Sequence, residues 1–387
     1  MLMLIVKRLV PPLAGLFLLF ALMGAASYGD HAVHHTTRQP SVTADGFNIS
    51  FLLNGPLPTV TLGGLGVMML GYTGVSMFMA KRLAYETPKP IETTPAACGL
   101  EFCRVTFPSR GDHITLRGWL IPGALPDGTL SLKRTIIAVH GARQNRTDPA
   151  AGLSDLCCRL AHQGFAVLVF DLRGHGESAS APFTLGYYEQ RDVLGAVDFL
   201  RSGALPYPEL GRPQYIGGWG ISSGANALLL AAAHEPALQA LVADSAYPDM
   251  LPILEREVPR ESRLPPIFTR GALLAARLLY GLDYRAIRPI DALAGLAPRP
   301  LLLIQGGADT FNPPANLALL AAKAASAPSA RVESWQVAGA AHAQSFHTEG
   351  EAYIQRITRF FTAAFASDES STSSTSSTSS EYGATTD

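Results

Sequence analysis

An α/β fold, a mostly parallel eight-stranded sheet with helices on both faces, is predicted by three features of the sequence. From about residue 101 to 366 short apolar runs alternate with helical patterns, which is how a parallel sheet wrapped by helices reads. Eight such runs fit one domain of this length. The run YIGGWGI leads into a serine flanked by glycines and then into the helix-forming ANALLLAAA, the strand, turn and helix of a catalytic serine.

The strands are expected at VTFPS (105–109), ITLRGWLI (114–121), TIIAVH (135–140), FAVLVFD (165–171), YIGGWGI (215–221), ALVADS (240–245), PLLLIQG (300–306) and RVESWQV (331–337). Residues 247–292, between the sixth and seventh, are too long for a simple connection and carry patterns such as FTRGALLAARLLYGL. They are expected to form a helical cap over the site. The charged stretch LEREVPRESR within it reads as a solvated helix face, with binding of a polar substrate end as the alternative. A Pro- and Thr-rich linker covers residues 86–100. Residues 367–387 are a Ser/Thr-rich tail with too little apolar content to fold alone, read as disordered rather than as a phosphorylated regulatory segment.

The chain has 387 residues, 48% hydrophobic and only 16% charged, so part of its apolar content belongs in lipid or in a large core. With 30 basic and 31 acidic residues it has no field to draw nucleic acid, and no nucleic-acid partner is expected. Residues 9–27 form an uncharged run after Lys7 and Arg8, read as a membrane anchor, with a cleaved signal peptide as the alternative. Residues 59–80 form a second, followed at once by Lys81 and Arg82. Two transmembrane helices are therefore expected, with the positive-inside rule placing both termini and the α/β domain in the cytoplasm. Gly63, Gly66, Gly71 and Gly74 project to one side of the second helix, where another membrane helix would approach.

Cys98, Cys103, Cys157 and Cys158 lack paired zinc-site spacing and read as ordinary thiols, with a Cys98–Cys103 bridge possible only in an oxidising compartment. His31, His34 and His35 have no spaced carboxylate or cysteine to complete a metal site, and a solvated loop is expected. No metal and no organic cofactor are expected.

Gly220-Ile221-Ser222-Ser223-Gly224 matches G-x-S-x-G and makes Ser222 the expected nucleophile. A serine hydroxyl needs a base held by a carboxylate, and in this fold both follow it in the order acid, then histidine. Asp309, after PLLLIQGGA, and His342, after WQVAGAA, occupy those places. Asp244 is the rival acid and His347 the rival base; Asp244 reads as closing a strand end and His347 as a surface or capping residue. For the oxyanion, the N–H of Ser223 follows the nucleophile, and the His140-Gly141-Ala142 loop supplies the second donor at Ala142, with Gly141 as fallback. Arg143 and Asn145 read as solvated loop side chains. His175 precedes the nucleophile, so DLRGHGES reads as a loop ordering the rim.

In this order HGARQNR, DLRGHGES, GWGISSGA, GGAD and GAAH resemble the α/β-hydrolase superfamily, closest to its serine-aminopeptidase-like and prolyl-oligopeptidase-like branch, which includes membrane-tethered lipid and acyl-protein hydrolases. The resemblance covers about residues 100 to 366. It implies the triad Ser222, Asp309 and His342 and an oxyanion hole at Ser223 and Ala142, with Ser223 standing where relatives commonly have methionine. The expected activity is cleavage of an ester, thioester or amide through an acyl-enzyme, on a small-molecule, lipid or acylated substrate. A serine peptidase of the same fold and a non-catalytic membrane receptor or scaffold are the alternatives.

Overall fold

The computed structural model describes the backbone of residues 56–376 and the side chains of residues 63–366; the first uncharged run, the HAVHH loop and the end of the tail lie outside them. Two compact units divide these residues. One holds the chain up to Ala80 with Leu254–Ala275, the other Lys81–Ile253 with the chain from Ala276 onward.

A long helix, α1 (Pro56–Ala84), comes first. An antiparallel pair follows, β1 (Cys103–Pro108) and β2 (Thr115–Ile121), then a small ribbon of β3 (Gly123–Ala124) and β4 (Leu130–Ser131) too short to read from sequence. Strands and helices then alternate: β5 (Arg134–Val139), α2 (Leu153–His162), β6 (Ala166–Phe170), α3 (Glu189–Arg201), β7 (Tyr215–Ile221), α4 (Ser223–Ala232) and β8 (Leu238–Asp244). The long connection is helical, as expected: α5 (Met250–Ser262), α6 (Pro266–Tyr280) and α7 (Pro289–Ala292). Then come β9 (Pro300–Gly306), α8 (Ala315–Ala325), β10 (Arg331–Val337), α9 (Ser345–Glu349) and α10 (Glu351–Ser376).

Eight strands form one sheet in the order β1-β2-β6-β5-β7-β8-β9-β10. β2 pairs antiparallel with both neighbours, and the other contacts from β6 to β10 are parallel. The parallel strands are covered on both faces, which is why they read as unbroken apolar runs; every residue of β7 and of β9 is buried. Alternate side chains feed two cores. Leu241 and Leu303 pack on one face with Leu228 and Val197, while Val242 and Ile304 pack on the other with Trp219 and Phe361. Each fully buried Leu, Ile or Val contributes about 1.5–3 kcal/mol. The backbone of α10 continues to Ser376, into the stretch whose composition predicted no structure. Extending a helix whose first turns are packed costs far less than nucleating one.

Among the described residues one helix, Gly63–Ala84, is long and apolar enough to cross a membrane, with a mean hydropathy of 1.3. It contains most of the second expected span. Within the smaller unit, α1 meets α6: the Tyr72 ring lies 5.4 Å from that of Phe268, and Tyr72 Oη donates to the Ile267 carbonyl at 3.1 Å. Gly271 of α6 leaves no room for a side chain beside Ser76 and Tyr72; among the described residues nothing packs against Gly63, Gly66 or Gly74, and the first expected span lies outside these residues.

The cysteine expectation is corrected. Cys98 is disulfide-bonded to Cys158, while Cys103 and Cys157 are free. Cys103 is carried away on β1, whereas α2 brings Cys158 against the short 3-10 turn Pro95–Cys98 from 60 residues away. That distance in sequence hides the pairing. The remaining core thiol, Cys157, has its pKa pushed up by burial.

Asp244, at the end of β8, is a buried hub. Its carboxylate accepts from Ser245 Oγ (2.9 Å), Ser345 Oγ (3.2 Å) and Tyr353 Oη (2.9 Å), and Tyr353 Oη in turn accepts from Trp219 Nε1. Burial raises its pKa from 3.8 to about 6 despite these donors.

Two predictions follow from these contacts. Closing a loop of 60 residues restricts the unfolded chain by about 4 kcal/mol, so Cys98→Ser should lower the denaturant midpoint by a corresponding amount in equilibrium unfolding, as should reduction of the wild type. A carboxyl whose folded pKa is raised contributes stability fully present below about pH 3.8 and lost as pH rises through about 6. Between pH 6 and 4 the wild type should therefore gain about 2 kcal/mol relative to Asp244→Asn, and parallel stability curves would refute it.

Candidate active site

β7 ends at Ile221, and the chain reverses into α4 through a single residue, Ser222, with φ 54° and ψ −122°. A serine pays strain for that conformation, on the order of 1–3 kcal/mol. The neighbouring glycines make the reversal possible. A Cβ on Gly220 would lie 2.7 Å from the Gly224 carbonyl, and one on Gly224 would strike the backbone of Val139 and His140. The Ser222 N–H is anchored on the Asp244 carbonyl at 2.8 Å. The hydroxyl is thereby lifted off the carboxyl end of the sheet.

Ser222 Oγ lies 2.9 Å from His342 Nε2, and His342 Nδ1 lies 2.7 Å from Asp309 Oδ2. With Nδ1–H donating to the carboxylate, Nε2 is left with a lone pair for the serine proton. Asp309 is nearly saturated. Oδ1 accepts from the N–H groups of Phe311 (2.9 Å) and Asn312 (2.7 Å), and Oδ2 also accepts from Gln305 Nε2 (2.8 Å). Gln305 Oε1 accepts in turn from Asn312 Nδ2, which also donates to the Ala246 carbonyl. The Phe311 ring packs on the His342 imidazole at 4.7 Å.

The His342 turn is fixed from two sides. Gly306 lets it close on the end of β9, where a Cβ would collide with the carbonyls of Ala340 and Ala341. Ser245 Oγ accepts from the Ala343 N–H at 3.2 Å, which ties the turn to the Asp244 hub. The rival residues stand apart: Asp244 holds three hydroxyls, and His347 is exposed, with Nε2 3.4 Å from the Pro149 carbonyl.

The loop after β5 lies against the nucleophile, since a Cβ on Gly141 would be 3.5 Å from that of Ser222. Two buried histidines hold this loop. His140 Nε2 accepts from the Leu172 N–H (3.0 Å) and Nδ1 donates to the Gly141 carbonyl (2.7 Å). His175 Nδ1 donates to the Arg173 carbonyl (2.8 Å) and Nε2 accepts from the Arg143 N–H (3.3 Å), at a residue with φ 61°. Burial lowers the pKa of both, that of His140 to about 3, so each stays neutral and serves as donor and acceptor at once. Asp148, whose pKa is raised to about 6 by burial, accepts from the Ala151 N–H at 3.2 Å.

Asn145 departs from the solvated role expected of it. It is buried, and Nδ2 donates to the carbonyls of Lys89 and Pro90, which fastens the linker to this loop. Arg143 does lie at the surface, with Nε on Glu86. In DLRGHGES, Asp171 accepts from the backbone N–H of Arg146 and Glu177 and from the Arg146 guanidinium, the rim-ordering role expected. Among the described residues no three His, Cys, Asp or Glu side chains gather to hold a metal ion. Gln305, Asn312, Ser245 and Tyr353 escaped the sequence reading because isolated amides and hydroxyls, on a strand, in a loop or on a helix, carry no motif.

The family model of X-Pro dipeptidyl-peptidases (S15 family) matches residues 22–262, which includes Ser222 and stops short of Asp309 and His342. Compared with curated proteins, the chain finds no sequence match. Among solved structures it is similar to the esterase Pf2001 of Pyrococcus furiosus, at 22% identity and a TM-score of 0.59 over 72% of this chain and 98% of that one. It is also similar to the alpha/beta hydrolase GrgF from Penicillium sp. sh18, at 20% identity and a TM-score of 0.52 over 69% of this chain and 100% of that one. At these identities the likeness gives the fold, an α/β-hydrolase fold. The family match and this fold make the protein a serine hydrolase. With more than half of its length matched, the chain belongs to the X-Pro dipeptidyl-peptidase (S15) family.

Proposed function

We propose that the protein cleaves an ester, thioester or amide by acyl transfer through Ser222, with His342 as base and Asp309 as its orienting acid. The observation that carries this reading is the unbroken chain of contacts from Ser222 Oγ to His342 Nε2 and from His342 Nδ1 to Asp309. Ser222 Oγ bonds to the substrate carbonyl carbon while its proton passes to His342 Nε2, and Asp309 stabilises the imidazolium. The oxyanion is held by the N–H of Ser223, at the start of α4, and by that of Ala142, with Gly141 in the same loop as the fallback donor. His342 then gives its proton to the leaving group, and a water activated in the same way releases the acyl group.

An acyl ester, lipid or acylated molecule is the favoured substrate, because α1 would hold the enzyme at a membrane where such molecules concentrate. The family match favours a second reading, cleavage after proline at a peptide N-terminus. A panel of short acyl esters against Xaa-Pro anilides separates them: faster turnover of the esters is expected, and turnover of the anilides alone would overturn the preference.

We read α1 as a membrane span, and the Cys98–Cys158 bridge supports placing the catalytic domain on the oxidising side, against the cytoplasmic side that Lys81 and Arg82 suggest. Protease added to sealed vesicles discriminates the two.

Ser222→Ala should abolish fluorophosphonate labelling and reduce kcat by on the order of 10⁴-fold or more. Asp309→Asn should cost about 10⁴-fold in kcat, because an amide facing Nδ1 favours the tautomer whose Nε2 cannot take the serine proton. Equal labelling of wild type and Ser222→Ala would end this reading.

A further inference from the structure

The smaller unit carries a surface that hydrolysis does not use. The turn from α5 into α6 runs Leu264, Pro265, Pro266, Ile267, Phe268, Thr269, six residues without charge. Ile267 is 53% exposed, and Leu274, two turns later on the same side of α6, is 58% exposed. This segment is fixed to α1 by the Tyr72 hydroxyl on the Ile267 carbonyl, the Tyr72–Phe268 ring contact and the close approach at Gly271. At the same level α1 exposes Met68 (57%), Met69 (62%) and Leu70 (75%). Both sets of exposed apolar side chains belong to the smaller unit.

Depth follows from helix geometry. α1 has no charged residue from Pro56 to Ala80, and Lys81 is the first. At a rise of 1.5 Å per residue Tyr72 stands about 13 Å along the helix from Lys81. A helix crossing a hydrocarbon core about 30 Å thick, with Lys81 at the headgroups, therefore carries Tyr72 inside it. A segment hydrogen-bonded to α1 at that level has lipid, not water, as its surroundings.

Its backbone suits them. Pro265 and Pro266 have no N–H, the N–H of Phe268 donates to the Pro265 carbonyl, that of Arg263 to the Pro259 carbonyl and that of Leu264 to Ser262 Oγ. Backbone donors left open would each cost several kcal/mol in lipid. The exposed Arg263 and Arg270 flank the apolar turn, where long stems allow a guanidinium to reach phosphate while the chain beneath lies in hydrocarbon.

We propose that residues from Leu264 to Leu274 dip into the bilayer beside α1, with Ile267 and Leu274 against acyl chains and Arg263 and Arg270 at anionic headgroups. This rests on the reading of α1 as a membrane span.

The full chain is reconstituted in nanodiscs of phosphatidylcholine and phosphatidylglycerol, with an environment-sensitive nitrobenzoxadiazole label on Ile267→Cys in a Cys103→Ser background. Leu319→Cys is the control, an equally exposed leucine (55%) on α8, outside the smaller unit. Nitroxide-bearing lipids should quench the label at 267 at least about threefold more than the label at 319, with blue-shifted emission at 267 only. Equal, weak quenching at both sites in protein that resists carbonate extraction overturns the insertion and leaves the span standing. A blue-shifted label at 267 that lipid nitroxides do not quench also overturns it, and shows a second copy covering the face. Release of the protein by carbonate removes the span and the insertion together. Strong quenching at 267 in protein that turns over no ester supports the insertion and counts against the hydrolytic reading alone.

Discussion

Ser222 sits in a backbone conformation that ordinary residues avoid, and most of the larger unit is arranged to hold it there. The strain is local, on the order of 1–3 kcal/mol, and the constraint is distributed. β7 is a central strand with every residue buried, its neighbours β5 and β8 fix its register, and the Asp244 carbonyl holds the Ser222 N–H. Gly220 and Gly224 are required because backbone stands where their side chains would be. A hydroxyl presented in this way already lies 2.9 Å from His342 Nε2.

The polar groups around it share one principle. Each buried carboxylate or imidazole near the site has its hydrogen-bonding capacity met by neighbours, so its orientation is set before substrate arrives. Asp309 takes four donors, two of them backbone N–H groups of the turn that carries it. Asp244 takes three hydroxyls and through Ser245 steadies the turn after His342. His140 and His175, kept neutral by burial, brace the opposite loop by accepting one N–H and donating to one carbonyl each. The site is thus built from loop ends on four strands, each stiffened by a buried polar residue with no part in bond making.

For α1 read as a membrane span, as proposed above, the Cys98–Cys158 bridge and the charges beside the helix argue for opposite sides. Lys81 and Arg82 act through insertion electrostatics, whereas a Cys98–Cys158 bridge persists only where thiols are oxidised. The bridge has the firmer basis because it joins two segments of the folded domain itself, 60 residues apart.

By itself the sequence determined the alternation of strands and helices, the strand-turn-helix at Ser222, and the order in which Asp309 and His342 follow, because period, glycine placement and chain order are local properties. It was silent on the Cys98–Cys158 pairing, on Gln305 and Asn312 around Asp309, on the burial of Asn145, and on the close helix contact at Gly271. Those were decided by the tertiary structure alone. They depend on side-chain direction and on which segments the fold brings within a few ångströms, from 4 residues apart for Gln305 and Asp309 to 60 for Cys98 and Cys158, and neither leaves a trace in the residues alongside.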